Sequence, residues 1–167
     1  MANGAKPEPG SDEAEVRLGL LIRLLKLGSF INTPMKEGVS DPAGVGTTEL
    51  RVVMALAGEG ALAGHDLVGI MGMPPMNVSR ALASLRERGW IEYAPDPENR
   101  RRRPMVLTEA GHEAYTKMQG NLSAVADALV GGLGPRRQQQ FAAIADELID
   151  AMADWISSRH EDMKIKR

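Results

Sequence analysis

The chain has no cysteine among its 167 residues, which removes disulfides, thiol redox sensing, cysteine nucleophiles and cysteine-held zinc together. Aromatic residues are scarce at 4% of the chain, so the apolar interior has to be built from aliphatic side chains and the ten methionines, which read as adaptable core. No phosphate-cradling glycine loop is present and no histidine stands beside an evident nucleophile, so an enzyme is the least supported class. His65, His112 and His160 have no ligand spacing between them, so neither a metal nor any other cofactor is expected. The opening MANGAKPEPGSDEAE holds one lysine, two prolines and no long apolar run, which fits neither a secretion signal nor a membrane anchor and leads us to expect a cytoplasmic protein without a membrane partner.

Charge is present, and it is unevenly distributed. The formal net charge is -2, which argues against a nucleic-acid partner only until the chain is divided. From Pro74 to Pro104, seven arginines (Arg80, Arg86, Arg88 and the run Arg100 to Arg103) face only four carboxylates, Glu87, Glu92, Asp96 and Glu98. Where the positive charge sits, rather than its sum, steers a protein towards phosphate.

Residues 1–11 carry little to bury and are expected to be disordered, with Ser11 as N-cap of a first helix over 12–33. Leu20, Leu21, Leu24, Leu27, Gly28 and Ile31 form its apolar stripe, and Pro34 with the Gly/Pro-rich stretch 38–46 is expected to end it. Thr47 or Thr48 opens a second helix closed by Gly58-Glu59-Gly60, and a short helix over 65–71 follows an extended 61–63. Gly72 then turns the chain into a helix running from Pro74 to Arg88, and two helices joined by about three residues including a glycine make a helix-turn-helix. Next come a strand over 90–94, an arginine-loaded turn over 96–103 and a strand ending at Leu107. Such a helix followed by a basic two-stranded ribbon can place one element in a DNA major groove and another beside it, which makes duplex DNA the leading partner.

A helix from Thr108 to Val130 and a last one beginning at Pro135 carry long apolar stripes, the latter through Phe141, Ile144, Leu148, Met152, Trp155 and Ile156. These helices are more apolar than a winged helix of about 65 residues can cover, so a second copy of the chain is expected against them. The expected architecture is mainly α with a small β-wing. Residues 12–34 and 112–158 form a helical dimerisation layer, 47–111 a winged helix-turn-helix, and 159–167 a tail.

Between Thr47 and Met118 the chain resembles the MarR family of bacterial transcriptional regulators. The residues that carry the resemblance are Thr48-Glu49-Leu50-Arg51-Val52, Val78-Ser79-Arg80, Leu85-Arg86-Glu87-Arg88-Gly89-Trp90-Ile91, Asp96-Pro97-Glu98-Asn99-Arg100-Arg101 and Leu107-Thr108-Glu109-Ala110-Gly111. The resemblance implies an intertwined homodimer that binds a near-palindromic operator. It also implies release of that operator when a small molecule, often an aromatic or phenolic acid, binds near the junction of the two layers. One departure is Asn99, where the family usually has an aspartate two residues before an arginine, here Arg101; an amide there cannot make a charge-assisted pair.

Asn77, Arg80 and Ser84 lie at helical spacing on the face opposite Val78, Ala81, Leu82 and Leu85, and are the candidates for base edges. Ser79 is expected to bond phosphate. Arg100 and Arg101 would enter a minor groove, while Arg102 and Arg103 would neutralise phosphates. For an organic acid effector the candidates are Arg23, Leu27 and Phe30 on one flank of the first helix, joined by Arg51, with His65 as a further contact. The competing reading is a winged helix that serves protein interaction without operator recognition.

Overall fold

The computed structural model describes residues 9–95 and 102–165. In chain order the elements are α1 (Pro9–Phe30), α2 (Asn32–Met35), a π-helical turn (Lys36–Ser40), α3 (Asp41–Ala43), α4 (Thr47–Glu59), α5 (Gly64–Met71), α6 (Pro75–Glu87), β1 (Ile91–Tyr93), β2 (Met105–Leu107), α7 (Glu109–Val130) and α8 (Pro135–Ile165).

The winged helix-turn-helix assembles around one apolar cluster. Helix α4 starts at Gly46, whose N–H donates to the Glu49 carboxylate at 2.6 Å, and it buries Leu50, Val52, Val53 and Leu56. Helix α5 contributes Leu67, and α6 contributes Val78, Ala81 and Leu85, the face expected from its spacing. Leu67 and Leu85 are fully buried, each stabilising the fold by about 1.5–3 kcal/mol relative to exposure. Between α5 and α6 the chain turns on Gly72 at φ 59, a left-handed conformation that costs a side-chain-bearing residue about 1–2 kcal/mol. Strands β1 and β2 pair antiparallel, Ile91 with Leu107 and Tyr93 with Met105. Leu62 adds a bridge on the far edge of β2, exchanging both backbone hydrogen bonds with Met105 at 3.1 and 2.8 Å.

A second cluster of Val39, Val45, Leu50 and Met118 lies where the 32–45 segment meets α4 and α7. Trp90 packs against both clusters.

Three expectations need correction. The stretch after the first helix was read as a loop from Pro34 to Gly46, but it is helical through Ala43 with a single break at Ile31. Pro34 and Pro42 both sit in first turns, where a missing N–H costs nothing. Val39 is buried against α7, and Gly38 approaches it so closely that a Cβ would lie 2.5 Å from Val125 Cγ2. Packing, rather than local propensity, therefore sets this segment. Helix α1 also begins at Pro9, which puts Ser11 inside the helix instead of at its cap; residues 1–8 lie outside the described residues. At the other end, α8 runs to Ile165, beyond the point at 158 where a tail was expected. Neither glycine nor proline follows Ile156 to stop it.

The outer helices carry a large uncovered apolar surface. On α1 Leu20, Leu21, Leu25, Leu27 and Phe30 are exposed, Phe30 by 73%; on α8 the same holds for Phe141, Ile144, Ile149, Met152, Trp155 and Ile156. None of the described helices is long and apolar enough to cross a membrane.

Candidate nucleic-acid interface

Helix α6 presents Asn77 and Arg80 fully outward and Ser84 half-covered. These three side chains line one wall of a shallow cleft of about 370 Å³ whose other wall is Gly46, Thr47, Thr48 and Glu49 at the start of α4, the Glu49 carboxylate being engaged by the Gly46 N–H. The hydroxyls of Thr47 and Thr48 thus join the three predicted residues, a grouping that α6 periodicity alone does not reveal. Ser79 is exposed on the opposite flank and lines a different groove, between α5 and α6, together with His65 and Pro75.

The wing arginines are not equivalent. Arg100 and Arg101, with Asn99, lie outside the described residues. Arg102, expected only to neutralise phosphate, donates from Nη2 to Asp66 Oδ2 at 2.7 Å. Arg103 stacks its guanidinium 4.3 Å from the centre of the Tyr93 ring, while Arg86 lies 4.8 Å from that same centre and donates to the Tyr93 hydroxyl at 3.3 Å. Arg103 adopts φ 48, a left-handed conformation uncommon for an arginine, and the stack on Tyr93 offsets part of its cost.

Asp66 is the residue that sequence reasoning missed. Besides Arg102, its Oδ2 accepts the Ala63 N–H at 2.8 Å, closing the first turn of α5, and its Oδ1 lies 3.1 Å from His65 Nε2. Partial burial works against its charge, but the Ala63 N–H, the Arg102 guanidinium and the His65 imidazole together outweigh that and hold the carboxyl below the ordinary aspartate value. The available signal was a carboxylate three residues after the residue that precedes a helix, the acidic half of a capping box without its hydroxyl. Because the folded value is the lower one, Asp66 contributes stability that is present above the unfolded value and is lost as pH falls through the folded one. Asp66→Asn is expected to cost about 1–3 kcal/mol at pH 7 and to flatten the decline in stability below about pH 4, where an unfolded aspartate titrates. Urea melts of both proteins at pH 7 and pH 3 check this, and parallel pH dependences would rule out the assignment.

The base of the wing is fixed just as firmly. Thr108 donates its hydroxyl to the Gly89 carbonyl at 2.6 Å and accepts the Gly111 N–H at 3.1 Å, while its own N–H donates to the Trp90 carbonyl at 2.9 Å. A Cβ on Gly111 would overlap that Trp90 oxygen. The Leu-Thr-Glu-Ala-Gly run is therefore a backbone lock between the wing and α7.

The five effector candidates do not converge within one chain. Arg23 donates to the Gly19 carbonyl of its own helix at 2.9 Å and lines an acidic slot with Asp12 and Glu15. Arg51 donates to the Asn32 side chain at 3.2 Å, tying α4 to α2. Leu27 and Phe30 face outward on α1, whereas His65 lies on α5 in the groove that Ser79 shares. Among the described residues, no group of histidines and carboxylates could hold a metal ion.

The MarR family model matches residues 43–102, from the end of α3 to the turn that precedes β2. This stretch is similar to MarR-family domains. MarR proteins are transcriptional regulators rather than enzymes, and the solved structures this chain resembles share its winged-helix fold. One is a MarR-family regulator from Rhodococcus sp. RHA1, at TM-score 0.68 and 16% identity over 81% of this chain and 95% of that one. Another is the PcaV regulator of Streptomyces coelicolor in complex with its natural ligand, at TM-score 0.62 and 19% identity over 89% and 99% of the two chains. A third is BpsR of Bordetella bronchiseptica, whose DNA binding is regulated by 6-hydroxynicotinic acid, at TM-score 0.64 and 20% identity over 79% and 98%. The comparison with curated proteins yields no match. The MarR fold accounts for both parts of the chain, since these structural matches extend beyond the wing into the flanking helices.

Proposed function

We propose that this chain is a homodimeric, operator-binding repressor in the cytoplasm, released from its DNA by a small aromatic acid. The observation that carries the reading is the outward wall of α6, where Asn77, Arg80 and Ser84 stand free of the core and face the Thr47 and Thr48 hydroxyls across an open cleft. An arginine reads guanine and an asparagine reads adenine by paired hydrogen bonds, while hydroxyls hold phosphates and fix the register. Ser79 reaches the backbone on the other flank, and Arg100 and Arg101 enter the minor groove beside it.

The uncovered stripes of α1 and α8 support a second copy as the partner. A patch this continuous exceeds what a soluble monomer ordinarily leaves bare, and a two-fold pairing of the stripes would set two α6 helices to read half-sites one helical turn apart. Closure of a partner over α1 would also turn Arg23, Leu27 and Phe30 from an open flank into a pocket, with Arg51 near its edge. The regulation of BpsR by 6-hydroxynicotinic acid is the precedent for the effector class. Full inversion of operator occupancy from 99:1 requires an effector preference of roughly 5.5 kcal/mol between the two conformations.

The test is a mobility shift on the DNA upstream of the protein's own coding region, with and without a panel of aromatic acids. Salt-sensitive binding that one acid reverses supports the proposal; no shift at low salt sinks it in favour of a protein-interaction module. Within that assay Arg80→Ala is expected to weaken operator binding by about 1–3 kcal/mol, or roughly tenfold to a hundredfold. Its affinity for unrelated DNA should change far less. An equal loss on both would mean that Arg80 touches only phosphate.

A further inference from the structure

Met76, Arg80, Ala83 and Glu87 fall within an arc of about 60° at 3.6 residues per turn, on the side of α6 away from Val78, Ala81 and Leu85. All four are exposed, Met76 by 63%. Asn77 and Ser84 lie on one flank of this stripe, Ser79 and Arg86 on the other. A single bare apolar side chain means little by itself. Met76 nevertheless stands apart from its neighbours: Met35, Met54, Met71, Met73, Met105 and Met118 all pack on an apolar cluster, and Met76 packs on neither. Ala83 is likewise outside both clusters, although the adjacent Leu82 joins one.

The order along the stripe is thioether, guanidinium, methyl, carboxylate. The carboxylate decides which end can enter a groove lined by phosphates. The Glu87 end is repelled, which leaves the two turns from Met76 to Ala83 to reach the bases. That span is about 10 Å, or roughly three base-pair steps.

We propose that Met76 and Ala83 read thymines, one on each side of the base pair that Arg80 contacts, by covering their C5 methyl groups. The inference rests on the operator reading of α6 and names the sequence class that this helix selects. In unmodified duplex DNA the major groove displays one kind of methyl group, that of thymine. The other edges there are hydrogen-bond donors and acceptors, which a thioether or an alanine methyl would desolvate without replacing their partners. Selectivity thus has two sources: a methyl buried at thymine, and an unpaired polar edge at guanine or cytosine. The unbranched methionine chain adapts to a methyl at some depth, and the short Ala83 side chain lets the helix backbone come close to one directly opposite.

The test begins with selection from a random duplex pool by the full-length chain. Enriched half-sites should carry thymine within about three base pairs on each side of a guanine. Deoxyuridine, which pairs as thymine does and lacks only the methyl, then replaces each thymine singly. Loss of one methyl contact should weaken binding about fourfold. Met76→Ala, at a position without core contacts, should abolish the difference between thymine and deoxyuridine at one position and keep it at the other. Ala83→Gln, which retains a good helix former, should do the converse. Unchanged affinity with deoxyuridine at every position, or a full methyl effect that persists in either variant, overturns the proposal. A selected site without a methyl effect leaves the operator reading standing, whereas a pool that yields no preferred sequence overturns both.

Discussion

Met152→Asp is expected to separate the proposed dimer and, with it, to remove nearly all operator binding. Met152 is 48% exposed in the single chain and lies near the middle of the α8 stripe, which spans an arc of about 140° from Ile144 to Ile149 at 3.6 residues per turn. In a two-fold interface one substitution introduces two carboxylates into the same apolar seam, each desolvated and neither paired. Dissociation should rise by at least several hundredfold, which sedimentation velocity over a concentration series would measure. Operator affinity should fall in step, because tethering two reading heads contributes about 10²–10⁴ that a monomer forfeits. The winged domain has its own core, built from α4, α5, α6 and the two strands, so circular dichroism should remain helical. An unchanged dimer would show that the stripe serves something other than a second copy.

Gly111→Ala is expected to lower stability by about 2–3 kcal/mol, with a fall in Tm of roughly 5–10 °C for a chain of this size. The added Cβ meets the Trp90 carbonyl oxygen, with the Trp90 carbonyl carbon at 3.0 Å and Leu107 Cδ2 at 3.2 Å. Two of these are backbone atoms in a turn already fixed by Thr108, so neither can swing aside as a flexible side chain would. Helix propensity pulls the other way, since alanine in a helix is favoured over glycine by about 1 kcal/mol. The sign of the result therefore discriminates between the two effects. A neutral or stabilised variant in denaturant melts would mean that α7 does not approach Trp90 this closely.

Much of the architecture was legible because it depends on local rules. The burial of Val78, Ala81 and Leu85 followed from 3.6-residue spacing, Gly72 marked the turn between α5 and α6, and Thr108 with Glu109 marked the start of α7. What escaped depends on distant partners. Residues 34–43 carry two prolines and a glycine, which read as a break, and only the packing of Val39 and Gly38 on α7 makes them helical. The same holds at the wing. Arg102 belongs to a run that reads as one basic block, yet its carboxylate partner is 36 residues earlier. Arg103 is drawn off by Tyr93, a ring whose role is invisible until β1 and β2 pair. Charge counts over a segment measure what is available to phosphate only after such internal commitments are subtracted.

The Asp66 carboxylate, by gripping both the head of α5 and the root of the wing, makes those two parts travel as a single rigid body. If α6 reads DNA as proposed, the gap between it and the inner wing is set before any double helix arrives. In the proposed dimer, accommodation to a wider or narrower groove would then come from the rotation of one copy against the other, and a change along that seam would alter the pitch at which both heads meet their target.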